Sequence, residues 1–161
     1  MPQSQRFLAG VLRPLLVLLM LGGCAPIIAD YSVEAYKSAT SLKAEVGALI
    51  DKSGEKFSLH QKEVDATTTR INAAYEFAAG LANNSISAQQ WQILRNPDGN
   101  LYGGFVRLWR KQGTTSAAYR SGKSREIAAA FDLIICLESN KKEGRSCPSP
   151  AAPAQSEEEP R

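Results

Sequence analysis

The sequence predicts an all-α fold: a small antiparallel helical bundle, with a long N-terminal helical hairpin followed by two or three further helices. Two observations carry this. Apolar residues recur at steps of three and four along most of 30–143, and no stretch shows the two-residue alternation of a half-buried strand. The turn signals Ser53-Gly54, Asn83-Asn84-Ser85, Asn96-Pro97-Asp98-Gly99 and Gly113 divide this periodic region into helix-sized pieces.

Taken in order, the first helix runs from Asp30 to Lys52. Ala35, Ala39, Leu42, Val46 and Leu49 form one narrow apolar stripe, with Lys37, Lys43, Glu45 and Asp51 elsewhere around the wheel. After Ser53-Gly54 the spacing resumes through Phe57, Val64, Ile71, Tyr75 and Ala78, with Thr68 on the seam. Two long helices joined by a short turn predict an antiparallel hairpin. Its alanines and threonine make a thin seam, so the pair needs further cover from the rest of the chain or from a partner. Ser87 and Gln90 have the spacing of a capping box, which predicts the start of a third helix bearing Trp91, Ile93 and Leu94. Pro97 disfavours helix at Asn96, and Gly99 suits the turn that follows. A fourth helix from Leu101 to Gln112 gathers Tyr102, Phe105, Leu108 and Trp109 on one face that belongs in the core, and Gly113 stops it. Ser116 is placed to cap a final helix. There Ile127, Phe131, Ile134 and Cys136-Leu137 are expected inside, with Glu126, Asp132, Glu138 and Lys141 toward solvent.

The first 23 residues have a different composition. Arg6 and Arg13 form a basic start, and Leu15 to Leu21 form an apolar run too short to span a bilayer. The run ends in Leu21-Gly22-Gly23-Cys24. These four residues resemble the lipobox of bacterial lipoprotein precursors. The resemblance implies that residues 1–23 are a cleaved signal peptide and that Cys24 becomes the lipid-bearing first residue. Its sulfur would carry diacylglycerol and its amino group an acyl chain. Several buried acyl chains anchor a protein durably where a single one does not. By the same resemblance, Ala25 in place of aspartate after the cysteine directs the protein to the periplasmic face of the outer membrane. In a cell with one membrane, the leader would place it on the outer surface. The expected organisation is a leader at 1–23, a lipidated tether at 24–29, a helical domain at 30–143 and a disordered Pro/Ala/Glu tail at 144–161. The body also resembles small helical bacterial lipoproteins through Tyr31, Phe131-Asp132 and Leu137-Glu138, a resemblance that implies helices and carries no activity.

Lipidation would leave Cys136 and Cys147 in a compartment where disulfides persist. A bridge would close a loop of about ten residues and contribute roughly 2–3 kcal/mol on the chain-entropy account. The other reading makes Cys136 a small core residue and Cys147 a free tail thiol. No metal site is expected, since His60 is the lone histidine and no cysteine or carboxylate cluster has ligand spacing. His60, beside Gln61 and Lys62, reads as an exposed helix position.

Loss of Arg6 and Arg13 with the leader lowers the formal charge from +3 to +1. That balance, with export, argues against nucleic acid as a partner. Gly122-Lys123-Ser124 lacks the earlier glycine of a phosphate-binding loop, because position 117 is alanine, so no nucleotide is expected. Ser53 with Lys56 and Ser139 with Lys142 have the spacing of a Ser-Lys pair without its companion motifs. No catalytic set and no cofactor beyond the Cys24 lipid are expected. One local excess stands out. Arg107, Arg110, Lys111, Arg120, Lys123 and Arg125 occur without an intervening acid and are interleaved with Trp109 and Tyr119. They form either a solvated bundle end or a surface for an anionic lipid or glycan. The expected function is therefore that of a membrane-tethered, non-enzymatic interaction, scaffold or accessory protein with an envelope protein partner. The alternative is a binding module for anionic lipid or glycan through Arg107 to Arg125.

Overall fold

The computed structural model describes residues 29–143 and Cys147. The lipobox residues Leu21, Gly22, Gly23 and Cys24, and the tail apart from Cys147, lie outside the described residues. The described residues form an all-α bundle of five helices: α1 (Val33–Lys52), α2 (Phe57–Gly80), α3 (Ser85–Arg95), α4 (Tyr102–Gln112) and α5 (Ala117–Glu143). The two short helices α3 and α4 follow one another in the same general direction and together act as one column. The result is an up-down-up-down bundle in which α1 packs on α2 and α5, while the α3–α4 column closes the other side.

The expected hairpin of α1 and α2 is present. Ser32 begins α1, its hydroxyl accepting from the Ala35 amide at 3.2 Å, which places the start just after the expected Asp30. Ala39, Leu42, Val46, Leu49 and Ile50 are buried along α1, facing Phe57, Val64, Thr67, Ile71, Ala74 and Ala78 of α2. The thin seam is covered by large residues of the other column. Trp91 of α3 meets Phe131 of α5 edge to face at 5.9 Å, and Trp109 of α4 meets Phe57 edge to face at 5.3 Å. Burial of each large apolar side chain contributes roughly 1.5–3 kcal/mol, so these aromatics carry much of the hydrophobic stabilisation.

The bundle end formed by the α1–α2 and α4–α5 turns is clasped by polar contacts. The Ser53 and Thr115 hydroxyls share a hydrogen bond at 2.6 Å, and the Thr115 amide donates to Ser53 O at 2.8 Å. The Phe57 amide donates to Gly113 O at 2.8 Å, and Trp109 Nε1 donates to Glu55 O at 3.1 Å. Gly113 ends α4 at φ 80°, a left-handed angle that favours glycine. Ser116 then caps α5, accepting from the Tyr119 amide at 3.2 Å. At the opposite end, the Ala29 amide donates to Asn83 O at 3.1 Å, so the chain enters the fold beside the α2–α3 turn.

Three local expectations are corrected. First, α3 starts at Ser85 rather than through a Ser87–Gln90 capping box. Asn84 turns its side chain back, Nδ2 donating to Ala78 O at 2.9 Å, and Ser87 becomes buried inside the helix. Ser87, Trp91 and Leu94 fill the inward face of α3, and Ile93 is exposed. Second, His60 is mostly covered, stacked obliquely on Trp109 at 5.8 Å with Nε2 2.9 Å from Glu55 Oε2. Third, Glu138 and Lys141 are not solvent-facing: their side chains are 1% and 2% exposed and pair at 2.6 Å. Cys136 and Cys147 are joined, with Cα atoms 5.8 Å apart, and Asn140 Nδ2 lies 3.3 and 3.0 Å from the two sulfurs.

Candidate arginine-lined cleft

The basic segment does not gather into one patch. Arg120 is a fastener of the clasped end: its Nη1 donates to Thr115 O at 2.6 Å, and its guanidinium lies against Gly54. Lys123 bonds Asn100 O at 2.8 Å and Glu126 at 2.5 Å, with its amine 5.8 Å from the Tyr119 ring centre. Lys111 and Arg125 are exposed on separate helices. Arg107 and Arg110, three positions apart on α4, lie on the same side of that helix and line a cleft of about 510 Å³ with Arg95.

The cleft lies between α2, the end of α3 and α4. Asp65, Thr68, Ile71 and Asn72 come from α2, Gln92 and Arg95 from α3, and Tyr102, Val106, Arg107 and Arg110 from α4. Two glycines set how closely α4 approaches the backbone beside the cleft. A Cβ on Gly103 would lie 2.3 Å from Arg95 O, and one on Gly104 would lie 1.8 Å from Gly99 O. Hydrogen in place of a side chain therefore lets the first turn of α4 rest on the backbone of 95–99. The same approach sets Arg95 beside α4.

Arg95 is fixed in place. Its guanidinium stacks 3.6 Å above the Tyr75 ring, Nε donates to Gln92 Oε1 at 2.8 Å and Nη1 to Asn72 Oδ1 at 3.3 Å, with Glu76 at 4.0 Å. Arg107 and Arg110 are held more loosely. Arg107 meets Asp98 at 2.7 Å and Arg110 meets Asp65 at 3.5 Å, all four side chains being more than half exposed. Such pairs contribute roughly 0–1 kcal/mol each. In the cleft wall, the Tyr102 hydroxyl shares a hydrogen bond with Thr68 at 2.8 Å and donates to Val64 O at 3.2 Å. Burial pushes the Tyr102 phenol up to about 12, against the opposing effect of the Thr68 contact.

Sequence reading placed Arg107 and Arg110 in a candidate anion site but missed Arg95, which lies outside the basic run. Two signals bear on it. The Asn96-Pro97-Asp98-Gly99 turn interrupts the helix right after Arg95, and Gly103-Gly104 marks a close backbone approach. Among the described residues there is no cluster of histidine, cysteine and carboxylates able to hold a metal, and no helix long and apolar enough to cross a membrane. No protein family, curated protein or solved structure matches the chain, so the cleft has to be read from its own residues.

Proposed function

We propose that this chain is a lipid-anchored envelope protein, tethered through Cys24, that serves as a non-enzymatic helical interaction module. The observation supporting it is the outer face of α3. Ile86 and Ile93 are 60% and 46% exposed and sit seven residues apart, hence on one side of the helix. On the neighbouring α2, Phe77 is also exposed and borders a groove of about 270 Å³ whose wall includes Ala35, Ala74 and Trp91. Exposed large apolar residues on a small bundle suit contact with a partner protein. They lie toward the end where the chain enters the fold, beside the proposed tether.

The test is in-cell photocrosslinking from position 86 or 93 in the full-length protein, with Cys24→Ser as the untethered control. One discrete protein adduct that disappears in the control supports the reading and identifies the partner. Adducts to lipid alone, or a protein adduct unchanged by Cys24→Ser, would count against a tethered protein-interaction role.

A further inference from the structure

We infer that the cleft between α2, the end of α3 and α4 binds a phosphate monoester, with Arg95, Arg107 and Arg110 holding the phosphate. This site goes beyond the interaction role proposed above and stands without it, since its residues all belong to the bundle. The charged side chains lining the cleft are Arg95, Arg107, Arg110 and Asp65, with Asp98 and Glu76 paired to Arg107 and Arg95 at its edge. A phosphate monoester carries close to two negative charges at neutral pH, so it competes for Arg107 and Arg110 against the single charges of Asp98 and Asp65. Forked guanidinium donors also suit the oxygens of a phosphate better than point charges do.

The three arginines differ in ways that suit capture. Arg95 is one-quarter exposed and already oriented by the Tyr75 ring and two carboxamides, so little freedom remains to be lost on binding. Arg107 and Arg110 are exposed arms whose present ion-pair partners, Asp98 and Asp65, are themselves solvated, Arg110 also lying over the Phe57 ring at 5.1 Å. Exchanging such a pair for a ligand phosphate costs little, and Glu76 is the remaining carboxylate near Arg95. Below the arginines, Ile71 and Val106 give the cleft an apolar floor, while Thr68, Asn72 and Gln92 supply hydrogen-bonding groups for the rest of a ligand. The same phosphate chemistry occurs on a soluble phosphorylated metabolite and on a lipid headgroup.

The test is calorimetry on the full chain in detergent micelles, with inorganic phosphate, glycerol 3-phosphate and dioctanoyl phosphatidic acid as ligands and glycerol as the neutral control. Binding of the phosphates but not glycerol is expected, weakening with added salt. Arg95→Gln should lower affinity at least about tenfold. Because Arg95 also braces α2 against α3, the double variant Arg107→Gln with Arg110→Gln should repeat the loss with its helical content unchanged. Arg125→Gln, outside the cleft, should bind like the parent. Phosphatidic acid binding at least about tenfold tighter than glycerol 3-phosphate would identify a lipid headgroup, and similar affinities a soluble monoester; either supports the site. No heat with any phosphate at millimolar concentration, or parent-like binding by the double variant, would overturn it.

Discussion

Single atoms decide two features of the cleft. At Gly103 there is no room for a methyl group, since it would meet the Arg95 and Asn96 backbone at 2.3–2.5 Å and backbone cannot turn aside as a side chain can. Gly103→Ala should therefore destabilise the fold by about 1–3 kcal/mol in urea unfolding. Gly122, inside α5, has nothing within 4 Å of the place a methyl group would occupy, so Gly122→Ala should stabilise by about 0.5–1 kcal/mol through helix propensity. Equal effects at the two sites would mean that α4 does not press on 95–99. Tyr102 makes a pH-dependent prediction. Its phenol titrates near 10 in the unfolded chain and is pushed up to about 12 in the fold, so the native state keeps its proton longer. Stability from this group is complete below about pH 10 and falls as pH rises toward 12, by about 2–3 kcal/mol in all. Tyr102→Phe should remove that part of the alkaline loss, visible as a shallower decline of unfolding free energy between about pH 9.5 and 11.5 than in the parent. Parallel declines would show that the phenol is hydrated.

At the scale of elements, what periodicity could and could not reveal separates cleanly. The burial of Leu42, Val46, Leu49, Val64, Ile71, Ile127, Phe131 and Ile134 follows from apolar spacing alone, because a helix turns its i, i+3, i+4 and i+7 positions to one side. Residue type misleads at Glu138 and Lys141, which share the inward-turned part of the last two turns of α5. A wheel places charged residues outside by default, whereas three-residue spacing lets this pair satisfy each other when enclosed. Among the described residues Glu138 Oε1 has no hydrogen-bond partner, and Lys141 is the group that balances this carboxylate. Lys141→Met should thus cost about 3–5 kcal/mol by stranding a buried charge, and adding Glu138→Leu should recover most of it. The urea midpoints of the two variants measure this, and a loss below about 1 kcal/mol in Lys141→Met would mean that the pair is solvated. The disulfide from Cys136 to Cys147 ties the chain beyond α5 back to the same last turns.

For the whole molecule, the sequence displays the bundle but only part of the cleft. Arg107 and Arg110 are close in sequence and share a helix side, which spacing shows. Arg95 joins them only because two short helices, α3 and α4, stack into one column, and no periodicity within either helix encodes that junction. The column also sets the height of the site. The cleft residues of α2 lie between Asp65 and Asn72, about 12–22 Å along the helix from its end at Gly80, beside which the chain enters the fold. From Cys24 to Ala29 the backbone spans at most about 18 Å. Under the proposed anchoring, the Ala29 and Asn83 end faces the bilayer and the clasp of Ser53 and Thr115 points away. The two tryptophans report on this geometry, because Trp91 lies in α3 toward the membrane end while Trp109 is in the last turn of α4 at the clasp. Full-length protein reconstituted in vesicles with spin-labelled headgroups should show stronger quenching when Trp91 is the sole tryptophan (Trp109→Phe) than when Trp109 is (Trp91→Phe). Circular dichroism of each variant checks that the bundle is retained. Equal quenching would place the bundle flat on the surface and bring the arginine cleft within reach of headgroups, whereas quenching confined to Trp91 leaves that cleft open to soluble ligands.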